Sequence, residues 1–146
     1  MRKAALLLAA TVAALTPAMG AAPKLRGTRS GVYAEAQAAE GARVYAVRCA
    51  MCHGASLSGT VETPGLTGKF MANWGGRPVG DLFDYIARAM PQPAPGTLAP
   101  PDNARLVAFL LKSNGAPAGA TPLPADSKAL RALIIDPVPI AMPPPR

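Results

Sequence analysis

The sequence predicts an all-α fold with three main helices, long connecting loops and an extended C-terminal tail. Three observations predict it. Three segments carry helical composition or spacing. No segment alternates in the manner of a strand, and no internal repeat is present. The third observation is local: both cysteines and the single histidine fall in the five residues Cys49-Ala50-Met51-Cys52-His53. C-x-x-C-H is the spacing of a c-type haem attachment site. Residues at i, i+3 and i+4 share one face of a helical turn. Cys49 and Cys52 can therefore add to neighbouring porphyrin vinyl groups while His53 points at the iron. Ala50 and Met51 face elsewhere. The expectation is three main helices around one covalently attached haem c, which supplies an apolar body to a core otherwise small.

The elements follow in order. Arg2 and Lys3, the apolar run Ala4 to Leu15, and Ala18-Met19-Gly20 read as an export leader over 1–20, cleaved near Gly20. The run is too short for an ordinary membrane span, so no transmembrane anchor is expected. A retained, uncleaved leader is the alternative. Residues 21–32 read as a flexible lead-in. A helix is expected from about Ala34 to Cys49, rich in alanine, with Gln37, Glu40 and Arg43 on its solvent face. Gly41 and Tyr45 share its other face. A glycine within a helix needs a reason, and close approach of a second helix supplies one. Leu57 to Lys69 is rich in Gly, Ser, Thr and Pro and reads as loop. Val79 to Ala89 is a short helix with an apolar stripe of Val79, Leu82, Phe83 and Ile86, continued by Met90. Pro91 to Gly96 excludes regular structure. The last main helix runs from about Pro100 to Asn114, with Gly115 as its C-terminal cap and Leu106, Val107, Phe109 and Leu110 buried. The domain is thus 33–115. A Pro- and Ala-rich extension, 116–146, follows, with a helical turn or two in Asp126 to Leu133. Ile134, Ile135, Val138 and Ile140 are too apolar for a free tail. Pro143 to Arg146 is expected to fray.

Other chemistries fit the cysteine cluster less well. A thioredoxin-type pair calls for a βαβ pattern that is missing. Zinc sites usually take four protein ligands, and three are on offer. The net charge is +7, and removal of Arg2 and Lys3 with the leader lowers it by two. Mild basicity suits acidic partners or anionic surfaces. Nucleic acid is not an expected partner, because the Lys and Arg residues are scattered and the chain reads as exported.

His53 leaves the opposite side of the iron open, and bis-histidine ligation is impossible with one histidine. Of six methionines, Met1 and Met19 belong to the leader, Met51 lies between the cysteines and Met142 in the tail. Met90 ends an amphipathic helix before a proline-stiffened loop and is the expected sixth ligand. Core packing of Met90, or ligation by Met71 instead, are the alternatives. A His/Met pair raises the reduction potential of a haem.

These residues resemble a class I monohaem cytochrome c, a small cytochrome c fold. Gly41 and Tyr45 match that family's N-terminal helix, Phe109 its C-terminal partner, and Thr63-Pro64-Gly65-Leu66-Thr67-Gly68 its loop after the haem motif. The resemblance implies that the Pro64 carbonyl accepts from His53 Nδ1–H, that Leu66 and Phe70 pack on the haem, and that Trp74 and Arg77 approach a propionate. Asp81-Leu82-Phe83-Asp84-Tyr85-Ile86, Met90-Pro91, Pro95-Gly96-x-Leu98 and Asn114-Gly115-x-Pro117-Ala118-Gly119 further resemble cytochromes associated with quinoprotein alcohol dehydrogenases. Ala89 stands where that group often has Thr, and Ala34 and Ala99 where it favours a capping Ser or Thr.

The function expected is therefore a periplasmic single-electron carrier and not an enzyme. A quinoprotein dehydrogenase is a possible donor, and a terminal oxidase or another cytochrome a possible acceptor. A cytochrome subunit permanently bound to such a dehydrogenase is the main alternative. An open-site peroxidase or gas sensor is a further one.

Overall fold

The computed structural model describes residues 25–137; the leader, Val138, Ile140, Met142 and Pro143 to Arg146 lie outside them. In chain order the elements are β1 (Arg26–Gly27), α1 (Glu35–Arg48), α2 (Ala50–His53), α3 (Lys69–Trp74), α4 (Val79–Ala89), α5 (Pro100–Ser113), α6 (Ser127–Leu130) and β2 (Leu133–Ile134). The three expected helices are α1, α4 and α5, and the all-α class holds.

The helices begin and end for local reasons. Glu35 in the first turn of α1 complements the helix dipole, though Ala34 makes no side-chain cap there. Prolines open α5, where their missing N–H groups cost nothing. At its other end Gly115 adopts φ +85°, and Ala116 N–H donates to the Leu111 carbonyl (3.0 Å) while Gly115 N–H donates to that of Lys112 (3.0 Å). This is the left-handed Schellman ending that glycine favours. α4 stops at Ala89 because Met90 precedes a proline, which disfavours helical geometry; Met90 is extended, φ −127° and ψ 148°.

α1 crosses α5 at Gly41. A Cβ on Gly41 would lie 1.9 Å from the Arg105 carbonyl oxygen and 2.8 Å from Phe109 Cβ. The helix tolerates glycine because nothing larger fits. One turn on, the Tyr45 and Phe109 rings meet at 5.3 Å between centroids. Ala38, Tyr45, Ala104, Val107, Ala108 and Leu111 are all buried along this contact.

Two expectations need correction. The lead-in over 21–32 is not free in its described part. β1 pairs in parallel with β2, Arg26 opposite Leu133 and Gly27 opposite Ile134. Asp136 accepts from the Arg29 backbone N–H (2.6 Å) and the Thr28 hydroxyl. Thr28, Val32 and Tyr33 are buried. The stretch was expected to be loose because its partners lie over a hundred residues on, where local composition cannot register them. The second correction is α3, a helix in a segment with no helical assignment from the sequence; the loop itself ends at Gly68.

Up to Pro137 the tail packs on the domain through part of its residues. Asp126 caps α6, accepting from Ala129 N–H at 2.7 Å. Arg131 bridges Asp81 and Asp84 of α4, and Leu123, Leu130 and Ile135 are buried.

Gly41→Ala tests the crossing. At an open helical position this change is worth about 1 kcal/mol in favour of the helix. Here it should lower the stability of the haem-loaded protein by about 3 kcal/mol or more, the upper range of overpacking, measured by denaturant unfolding.

Candidate haem site

The attachment motif sits where α1 hands over to α2. Cys49 closes α1, its N–H donating to the Tyr45 carbonyl (2.9 Å), and the chain restarts at Ala50. Tyr45 also reaches forward, its hydroxyl donating to the Gly54 carbonyl at 2.5 Å. One aromatic residue therefore packs against α5 and braces the far end of the motif. Both thiols are free, Cys49 half-buried and Cys52 exposed. Burial pushes the Cys49 thiol up to about 11, against the pull of the neighbouring Arg48 charge. A redox Cys-x-x-Cys pair relies on a depressed thiol, so this environment speaks against that chemistry. Met51 is 90% exposed, facing away as expected.

These residues open onto a cavity of about 870 Å³. That lies within the roughly 300–1,000 Å³ of sites that engulf a flat organic ligand. Cys49, Cys52 and His53 line it together with Pro64, Leu66, Phe70, Trp74, Tyr85, Ile86 and Met90, and with Leu106 and Leu110 of α5. Every residue assigned to the site from the sequence lines this one space.

His53 is buried, and its Nδ1 lies 2.8 Å from the Pro64 carbonyl oxygen. That contact assigns the proton to Nδ1, leaves Nε2 with a free lone pair that could ligate a metal, and raises its basicity. The carbonyl is itself positioned. Gly59 N–H donates to the His53 carbonyl (2.9 Å) and Leu66 N–H to that of Leu57 (2.8 Å). Asn114, at the end of α5, donates from Nδ2 to the Leu66 carbonyl (3.0 Å) and accepts from Gly68 N–H (3.2 Å). The sequence placed Asn114 at a helix end and in a family motif, without a role for its side chain. Its role as a strap across the loop depends on contacts with residues far earlier in the chain.

The methionines separate by position. Met71 is buried in α3 but is not among the cavity-lining residues, whereas Met90 is. Phe70, Trp74 and Tyr85 form a tilted aromatic series at 6.2 and 5.6 Å. The Arg77 guanidinium lies 4.4 Å over the Trp74 ring and pairs with Asp81. Arg48, Lys69 and Arg77 line the cavity against one carboxylate, Glu62. That balance suits the anionic propionates of a haem, and the two thiols and the oriented imidazole suit its covalent attachment. Arg48, Lys69, Tyr85, Leu106 and Leu110 had not been assigned to the site. The apolar spacing of α5 showed that the leucines were buried but not against what.

An all-α domain with this motif at the mouth of an apolar cavity defines a class I monohaem cytochrome c. Residues 36–110 match the family model described as cytochrome c oxidase, cbb3-type, subunit III, and the chain belongs to that family. It carries covalently bound haem c and serves haem-based electron transfer. Among solved structures, it is similar to a chain of the sulfane dehydrogenase SoxCD from Paracoccus pantotrophus. Identity is 32% and the TM-score 0.47, over 55% of this chain and 44% of that one. The chain thus matches less than half the length of that relative. No curated protein matches it.

Replacing both Cys49 and Cys52 by Ser should abolish the haem that survives denaturing electrophoresis, read by haem-peroxidase staining. Either single replacement should leave one thioether and a weaker band.

Proposed function

We propose that the protein is an exported carrier of single electrons, with the iron held between His53 and Met90. The observation that carries this reading is that an imidazole oriented by Pro64 and a methionine held extended between α4 and Pro91 line the same cavity. The bound haem supplies a one-electron couple. The chain's own residues fix its ligands, exclude water and hold its charge. Nδ1–H donation to Pro64 keeps the His53 ring from rotating. Ile86, Leu106 and Leu110 keep the surroundings apolar, and a thioether ligand favours the reduced, less charged iron. His53 and Met90 would hold the iron from the two sides, and because the fold fixes both side chains little of the chain would need to move when an electron passes.

Among the described residues no helix is long and apolar enough to cross a membrane. The leader motif is what supports work in the periplasm. The partners are redox proteins, for which a quinoprotein dehydrogenase as donor and an oxidase or another cytochrome as acceptor remain the proposal. Such encounters bury little surface, below about 1,200 Å², and turnover needs quick release. A permanent subunit would need a standing interface, and the apolar tail was the segment that suggested one. Ile135 is fully buried within this chain, and its N–H donates to the Arg77 carbonyl at 2.9 Å. Ile135 is therefore used internally, with Leu133 and Ile134 half-buried beside it, which favours the free carrier.

Met90→Ala should abolish the methionine–iron charge-transfer band, lower the reduction potential and let carbon monoxide bind the reduced protein rapidly. The unsubstituted protein should bind it slowly, and rapid binding there would favour an open-site enzyme or sensor. Truncation after Gly119 removes Leu123, Leu130 and Ile135 from the core. One buried Leu→Ala change costs about 2–5 kcal/mol, so haem retention and thermal stability should fall sharply. A stable, haem-loaded truncate that no longer co-purifies with a dehydrogenase would support the subunit reading instead.

A further inference from the structure

The loop that follows Met90 is fastened at both ends and nearly free between them. At its start Met90 N–H donates to the Ile86 carbonyl (3.0 Å). At its far end Leu98 is buried. Between these points the loop folds on itself: Ala94 N–H donates to the Pro91 carbonyl (2.9 Å) and the Thr97 hydroxyl to the Ala94 carbonyl (2.7 Å). Among the described residues, one hydrogen bond ties 91–97 to any other element. Arg48 Nη2 donates to Thr97 Oγ1 at 2.5 Å. Arg48 precedes the first attachment cysteine, lines the cavity and has no carboxylate partner among the described residues.

We infer that Arg48 and Thr97 form a latch that holds the methionine loop closed against the haem attachment segment. This rests on Met90 as the sixth ligand. The argument is one of linkage. For an external ligand to take the sixth position, the thioether must leave and its loop must swing out. A contact made only in the closed loop raises the free energy of that opening by its own worth. The Thr97 hydroxyl is suited to the task because it does two things at once. It accepts from a guanidinium anchored next to Cys49, and it donates to the Ala94 carbonyl at the turn. The cation is thereby relayed onto the backbone between Pro93 and Pro95. Neither residue touches the iron, so both are positioning residues. Thr97, which does not line the cavity, sets how often the site opens and leaves the chemistry of the closed carrier unchanged; Arg48 also faces the cavity, so its replacement is read only against Thr97→Val.

A hydrogen bond of this kind is worth on the order of 1 kcal/mol net, which converts to about a fivefold change in the opening equilibrium. The experiment titrates the ferric haem-loaded protein with imidazole and follows loss of the methionine–iron charge-transfer band. Thr97→Val keeps the side chain's shape and should raise imidazole affinity about fivefold. It should also speed carbon monoxide binding to the reduced protein. Thr97→Ser, which restores the hydroxyl, should return both to the parent values. Arg48→Gln should match Thr97→Val, and the double variant should add little to either single one, since both break one contact. A charge-transfer band intact in all variants with unchanged imidazole affinity overturns the latch alone. Absence of that band from the unsubstituted protein overturns the Met90 reading, and the latch with it.

Discussion

The crossing of α1 and α5 at Gly41 is the constraint from which the site follows. Backbone meets backbone there, with no room for a Cβ beside the Arg105 carbonyl. So close a contact fixes both the separation and the rotation of the two helices. The end of α1 then delivers Arg48 and Cys49 to the cavity, while Leu106, next to Arg105 in sequence, and Leu110 also line it. Tyr45 carries the constraint onward, packing on Phe109 and bonding the Gly54 carbonyl beyond the motif. The spacing between the attachment cysteines and the lining residues of α5 thus follows from helix packing.

The haem completes this packing. An apolar cavity left without its occupant costs stability in proportion to its volume, and a chain of this size has little to spare. Leu66, Ile86, Leu106 and Leu110 line the cavity, so a bound haem adds its ring to their packing. Haem binding and folding are therefore linked. This is also why the tail matters. Residues 116–137 return along α4 and the lead-in, burying Leu123, Leu130 and Ile135, and Arg131 joins α6 to the carboxylates of α4. The side of the domain that the haem does not brace is braced by the extension.

The sequence was legible where the signal was local. Proline at the start of α5 and Gly115 at its end bounded that helix to within a residue, and the stripe from Val79 to Ile86 bounded α4. The five-residue motif gave the cofactor, because few other chemistries use that spacing. Gly41 was recognisable as a contact point because a helix-interior glycine is unfavourable unless something requires it. What escaped was non-local. Arg26 pairs with Leu133 and Thr28 with Asp136, and nothing in a glycine-, serine- and arginine-containing stretch announces such partners. Asn114 holds Leu66 and Gly68 through a side chain that looked like a helix end. α3 is six residues long, too short for an apolar period to declare itself.

The two sides of the haem cavity are built with different rigidity, and this bears on function. On the His53 side the segment from His53 to Gly68 is knitted by backbone bonds to itself and by Asn114 to α5. On the Met90 side an extended residue leads into a proline-rich loop with few bonds to its surroundings. If His53 and Met90 are the axial pair, as proposed, the imidazole would be the fixed ligand and the thioether the exchangeable one. A carrier would gain from the first, because a rigid ligand keeps reorganisation small. It would tolerate the second only while the loop stays shut, since a vacant iron would meet small ligands instead of redox partners. The proline residues limit how far the loop can wander, but they do not attach it to the body of the protein. On the proposed ligation, the balance between a closed electron carrier and an open site would turn on residues 91–97, which among the described residues one hydrogen bond ties to another element.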